Sequence, residues 1–334
     1  MIQQANLSVE SQWQKELKQS FTRLEDLLTY LNIDAENIDQ DNEARRLFSM
    51  RVPRPFAQLM RHGDDQDPLL LQVLPSAKEF ESKAGFVIDP LQEHNAEQPG
   101  LLHKYESRVL IMFKTGCAVN CRYCFRRHFP YADNAVNKQQ LLQHIDYIKA
   151  HSEINEVILS GGDPLMAKDD AIEWFIGQLE QLPNIKRLRI HTRLPVVIPS
   201  RITKGLVNIL ERASFKTIVV LHINHANEIS VRLKKGVAHL KRADCTVLNQ
   251  AVLLKNVNDN ADSQIELSEA LFDGGILPYY LHLFDKVDGA SHFDIDESRA
   301  IAIYKAMLKA LPGFLMPKLV REIGGEASKT PISL

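Results

Sequence analysis

Cysteine is scarce, at four residues of 334. So few thiols in so long a chain do not read as the disulfide framework of a small secreted domain. The opening residues, "MIQQANLSVESQWQKELKQS", have no basic head followed by an apolar run, so they do not read as a secretory signal. No stretch approaches the roughly 20 apolar residues of a membrane span. The longest apolar runs, such as "VLIMF" and "TIVVLHI", are strand-sized. These absences predict a cytoplasmic protein with no membrane partner, whose thiols stay reduced. An excess of charge is missing too. Lys and Arg total 40 and Asp and Glu total 42, with no long block of either sign. That argues against a nucleic-acid-coating surface and for a small-molecule or protein partner.

What the sequence does hold is apolar content, 45% of the chain, enough to bury a full core. Residues 8–31 read as helix, because Trp13, Leu17, Phe21, Leu24, Leu27 and Leu28 recur at helical spacing. Residues 51–100 are polar and rich in proline, and predict short helices and connections. Near residue 108 the texture changes. Strand-sized runs at 108–114, 156–160, 187–192, 217–223, 246–254 and 277–284 alternate with helical patterns near 137–150, 169–182, 201–212, 226–241, 261–273 and 297–311. Such alternation predicts a parallel sheet with right-handed crossovers. Six strands are too few for an eight-fold barrel. The expected fold class is therefore α/β, a partial open (β/α)6 TIM-like barrel with an N-terminal helical extension. The expected division is 1–100 for the extension, 101–311 for the barrel and 312–334 for a C-terminal segment. In such barrels chemistry sits on loops after the C-terminal ends of strands.

One such loop holds three of the cysteines. "TGCAVNCRYCFRR" places Cys117, Cys121 and Cys124 at C-x-x-x-C-x-x-C, directly after the first predicted strand. Zinc sites more often use paired C-x-x-C arms closed by four ligands, and a second arm is missing. The other candidate is an iron–sulfur cluster. Four irons normally take four thiolates, so three would leave one iron open to a small molecule. Cys245 could be a fourth ligand, but it begins a predicted strand, where a buried structural cysteine is commoner. After the second predicted strand comes "LSGGDPL" (159–165). Its glycines allow backbone to approach a ligand closely, although Gly-Gly-Asp alone would read as a tight turn. Near the C-terminus, "VREIGGEASKTPISL" carries Lys329, and the preceding "FLMPKLV" reads as another short strand. An arbitrary lysine there would be solvated.

The cysteine spacing, with Tyr123 before the last thiol, resembles the radical S-adenosylmethionine (SAM) superfamily. "KYESRVLIMFKTGCAVNCRYCFRR", "ILSGGDPL", "HTRLPVVIPSRIT", "INHANEI", "NQAVLLKNVND" and "PYYLHLFDKVDGASHF" carry the resemblance to the lysine 2,3-aminomutase family, over roughly residues 100–331. That resemblance implies an isomerase converting α-lysine to β-lysine with a [4Fe-4S] cluster, SAM and pyridoxal 5′-phosphate (PLP). It implies that Cys117, Cys121 and Cys124 ligate the cluster, and that Tyr123, Gly161, Gly162, Asp163 and His222 line the SAM site. Tyr105, Arg108 and Gln250 would lie against PLP, which Lys329 would carry through its amine. Arg126 would bind the substrate carboxylate by a two-pronged contact. Asp285 and Glu322 would hold the distal ammonium, which needs countercharge when buried. Two departures stand out: Glu322 where the family usually has Asp, and a short glycine run in "GGEAS". The chain is similar to the short members that supply β-lysine for modifying elongation factor P. This implies a link to that factor and its lysine ligase, free lysine as substrate, and an external electron donor. Two rivals stay open. One is a radical enzyme for another amino acid, with the acidic pair arguing against glutamate. The other is a catalytically silent partner, against which the intact cysteines and Lys329 argue.

Overall fold

The apolar runs pair with one another in chain order. In the computed structural model, which describes residues 10–34, 48–94 and 98–334, nine strands form one sheet ordered β1 to β9. They are β1 (Leu101–Tyr105), β2 (Arg108–Lys114), β3 (Glu156–Gly161), β4 (Arg187–Thr192), β5 (Lys216–His222), β6 (Thr246–Val252), β7 (Leu277–His282), β8 (Lys318–Arg321) and β9 (Thr330–Pro331). β2 through β8 run parallel, while β1 and β9 are antiparallel edges. The helices of seven or more residues are α1 (Gln12–Lys18), α2 (Leu24–Leu31), α3 (Lys138–Ala150), α4 (Asp169–Leu179), α5 (Lys204–Arg212), α6 (Val231–Arg242), α7 (Ala261–Asp273) and α8 (Glu297–Ala310). One helix from α3 to α8 follows each strand from β2 to β7, so the expected open (β/α)6 unit is present. Because the sheet order starts at β1 and ends at β9, the barrel is not closed by strand pairing.

Three details differ from expectation. The segment read as one helix over 8–31 is two helices, with residues 8 and 9 outside the described residues. Ser20 ends α1 by turning its hydroxyl back to the Leu17 carbonyl at 2.7 Å, a local bond that competes with helix continuation. Phe21 then pairs with Val52 as an antiparallel bridge. The apolar residues of the segment are nonetheless the buried ones: Trp13 in α1, Leu24, Leu27 and Leu28 in α2, and Phe21 in the bridge between them. Second, β1 precedes the cysteine loop, which therefore follows the second strand of the chain and the first of the parallel set. Third, β8, the short strand expected in "FLMPKLV", joins the sheet as a seventh parallel strand beyond the six of the barrel.

Alternation along the strands aims side chains at the barrel interior. In β4, Leu188, Ile190 and Thr192 are buried while Arg187, Arg189 and His191 are only partly covered. β6 alternates likewise, with Val247, Asn249 and Ala251 buried and Gln250 partly covered. The partly covered set faces the interior, and at the C-terminal ends of the strands it becomes the wall of a cavity.

The N-terminal region closes the floor beneath the cysteine loop. Arg51 donates to the Cys117 carbonyl at 2.9 Å, and Asn120 donates to the Ser49 carbonyl at 2.7 Å. Glu79, fully buried, binds Arg122 through Nε at 2.8 Å and Arg127 through Nη2 at 2.5 Å. Both arginines flank the cysteines in sequence. Removing one partner of a buried pair leaves an uncompensated charge and costs roughly 3–5 kcal/mol. Glu79→Gln is therefore expected to lower unfolding stability by about that amount, read as a lower denaturant midpoint. A loss under about 1 kcal/mol, the level of an exposed pair, would show that the N-terminal segment is an appendage to the barrel.

Candidate active site

Two loops at the C-terminal ends of β2 and β3 are fastened backbone to backbone. Gly162 N–H donates to the Lys114 carbonyl at 2.7 Å, and Asp163 N–H donates to the Gly116 carbonyl at 3.0 Å. Gly161 has φ +108, and a Cβ on Gly162 would stand 2.6 Å from the Thr115 carbonyl carbon. The close approach these glycines permit is thus to the cysteine loop itself, whereas the sequence reading assigned it to a ligand. Asp163 also differs from that reading. Its carboxylate accepts from Thr192 Oγ1 at 2.7 Å and Leu165 N at 3.0 Å through one oxygen, and from Arg193 N and Leu194 N at 2.8 Å through the other. Four donors use its lone pairs, so the side chain holds the loop.

Cys117, Cys121 and Cys124 all line the cavity beyond these loops. Burial, helped by Cys124 and Asp163, pushes the Cys117 thiol well up. Burial and the Cys121 thiol push Cys124 up to about 11. Arg193 donates to the Cys121 sulfur at 2.8 Å. It is itself fixed by Gln72 at 2.8 Å and Glu228 at 3.0 Å, and it also donates to the Tyr123 hydroxyl. Cys245 lies elsewhere, buried in the main core with its thiol directed at the Ala243 carbonyl.

The opposite wall comes from the two sheet edges. The β1–β2 hairpin places Tyr105 opposite Arg108, with the guanidinium 4.1 Å from the ring centroid. At the other edge, Glu322 follows β8 and Lys329 precedes β9, so the hairpin presents them to each other as an ion pair. Gln250 and His222 are register partners on β6 and β5, and Gln250 Nε2 donates to His222 Nε2 at 3.0 Å. The imidazole must accept there. Burial agrees, lowering His222 to about 3 and keeping the ring neutral.

Every candidate residue of the sequence reading lines one cavity of about 220 Å³. Of the three residues expected to read the substrate, Arg126 and Glu322 already have protein partners. Arg126 is gripped by Glu93, with Nε to Oε2 at 2.6 Å and Nη2 to Oε1 at 3.1 Å. Glu322 is paired with Lys329 and lies 3.8 Å from Lys104. Lys104 also reaches Glu93 at 2.9 Å. Burial pushes the Glu93 carboxyl up, but Arg126 and Lys104 outweigh it and hold the group below its ordinary value. Lys329 does the same for Glu322. Asp285 is the exception: burial, then Glu322, push its carboxyl up to about 7. Sequence reasoning missed Glu93, Lys104 and Arg193, and also His191 and His282. The Nε2 atoms of these two histidines are buried without a hydrogen-bond partner.

Comparison with known proteins matches residues 111–262 to the Radical SAM superfamily. The chain is 52% identical to the L-lysine 2,3-aminomutase of Escherichia coli, over 96% of this chain and 94% of that protein. Against the enzyme of the same name from Haemophilus influenzae it is also 52% identical, over 96% and 95%. The Clostridium subterminale enzyme is 31% identical over 96% of this chain and 77% of its own length. The chain belongs to the lysine 2,3-aminomutase family. It is therefore an isomerase, and the cofactors of this family are a [4Fe-4S] cluster, SAM and PLP. The donor set present fits such groups. Three half-buried thiols crowd one another at one end of the cavity, a conflict that a cationic cluster relieves. The unpartnered imidazole nitrogens of His191 and His282 offer hydrogen bonds to a bound molecule.

Asp285 yields a test of the cofactor-free fold. An unfolded Asp titrates near 3.9, below its folded value of about 7. Between those values the folded chain binds the extra proton, so stability falls as pH rises through the window. In cofactor-free protein, Asp285→Asn should match wild type at the acid end and gain relative stability as pH rises, levelling off above about 7. Denaturant unfolding across pH measures this. A parallel pair of stability curves would mean that Asp285 is solvated.

Proposed function

We propose that this cavity rearranges free α-lysine to β-lysine. The observation that carries the reading is the convergence of three thiols, Lys329, a cationic pole and an acidic pole on one cavity. Cys117, Cys121 and Cys124 would hold the cluster. Tyr123, Gly161, Gly162 and His222 would line the SAM site, with Asp163 acting through the loop. Tyr105, Arg108 and Gln250 would meet PLP, and Lys329 would carry it through its amine. When bound, the cluster and SAM supply the radical that starts the rearrangement, and PLP supplies the π-system over which nitrogen moves.

The chain's own residues do the rest. Arg126 binds and orients the substrate carboxylate, backed by the Lys104 charge. Asp285 and Glu322 receive the distal ammonium. Lys329 now takes the place of such an ammonium against Glu322, and engaging Lys329 with a cofactor frees that carboxylate. Neutral His222 and the apolar walls limit stray proton donors and water around the reacting centre. The enzyme works in the cytoplasm with an external electron donor. Its β-lysine serves the modification of elongation factor P by its lysine ligase.

Anaerobic incubation with labelled lysine, SAM, PLP and reductant tests the activity, and recovery of α-lysine alone would overturn it. Reconstituted protein should hold about four irons per chain. Alanine at Cys117, Cys121 or Cys124 should abolish them, and Cys245→Ala should not. Borohydride should fix PLP to the peptide containing Lys329. An ammonium left partly unpaired loses roughly 3–5 kcal/mol, so Asp285→Asn should lower kcat/KM for lysine by more than about a hundredfold with both cofactor spectra unchanged. Near wild-type turnover would move ammonium recognition elsewhere.

A further inference from the structure

Glu93 reaches the cavity from a loop shaped to deliver it. Asp89 caps that loop, accepting from the Glu93 and His94 backbone N–H groups at 2.9 Å each. Gln92 turns through the left-handed region at φ 54, and its side chain packs where a Cβ on Gly324 would fall. The Glu93 carboxylate, in a residue only 3% exposed, covers one edge of the Arg126 fork, formed by Nε and Nη2. Nη1 is steered from the far side by Ser160 Oγ at 3.2 Å and the Gly161 carbonyl at 3.4 Å. An Arg has five N–H donors in a rigid plane. With the side edge taken, the free N–H of Nη2 and the weakly held Nη1 remain, at the tip.

We propose that Glu93 is the positioning residue for substrate binding: it holds Arg126 so that only the tip of the guanidinium meets the substrate carboxylate. The inference rests on the reading of Arg126 as the carboxylate receptor. It also accounts for the charge at this pole. Arg126 and Lys104 together carry two positive charges and Glu93 removes one, leaving the pole matched to a single carboxylate. Without Glu93 the Arg126 side chain regains rotamer freedom, which a substrate must then freeze on binding.

The test is a double-mutant cycle on the holoenzyme under argon without reductant, so that lysine binds but does not turn over. Calorimetry gives Kd for wild type, Glu93→Gln, Arg126→Gln and the double variant. Glu93→Gln is expected to weaken lysine by about tenfold or more, and to add no further loss once Arg126 is gone. With reductant restored, its kcat should stay within about twofold, so that the defect appears in KM. Unchanged or tighter binding in Glu93→Gln overturns the inference, as do losses that multiply independently in the double variant. If Arg126→Gln alone leaves Kd unchanged, the receptor reading itself has failed, which is a separate outcome. Should Glu93→Gln not fold, Glu93→Asp keeps the charge one methylene short and enters the same cycle. It is expected to weaken lysine only while Arg126 is present.

Discussion

Five charged side chains alternate in sign across the cavity: Arg126, Glu93, Lys104, Glu322 and Lys329, each within ion-pair distance of the next. Desolvating one such charge alone costs several kcal/mol, so none could stand there without its neighbours. The order of the chain places cation beside acid at each step, and it leaves one positive charge over. Asp285 stands outside that order, and burial, then Glu322, keep its carboxyl protonated up to about 7. Holding so much charge in place requires walls that do not move, and the rest of the molecule supplies them.

Those walls are built from groups already satisfied by protein. Arg193 ties the cysteine loop to Gln72 of the N-terminal region and to Glu228 beyond β5. Asp163 joins the loop after β3 to the start of the turn after β4. The N-terminal region belongs to the same structure, since Glu79 and Arg51 reach the backbone and arginines of the cysteine loop. A loop held from three sides can keep thiols at a fixed spacing, which raises the precision of whatever they bind.

Much of this was legible in the sequence. Strands β2 to β8 showed as short runs, continuous and apolar where both faces are covered, as in β3, and alternating where one face lines the interior, as in β4. β1 did not show, since "LLHKY" is half polar and owes its strand character to pairing with β2. β9 is too short to leave a pattern. At the site, the cysteine spacing carried its own signal, Lys329 stood out only through the family resemblance, and all the candidate residues reached one cavity. Glu93 left none: it sits in a polar stretch without periodicity, and its importance comes from a contact to Arg126 across 33 positions. Asp163 was legible as a cavity residue but not in its task, because a motif does not say which way a carboxylate points. The glycines beside it show the same limit.

The open edge of the barrel has a consequence of its own. β1 and β9 do not pair, and what spans the gap is a set of side chains: Tyr105 and Lys104 on one edge, Glu322 on the other, at 3.5 Å and 3.8 Å. The barrel is thus shut along this line by a seam of charge, where other barrels use a ladder of backbone hydrogen bonds. Such a seam parts by rotation of a few side chains, without unpairing a strand.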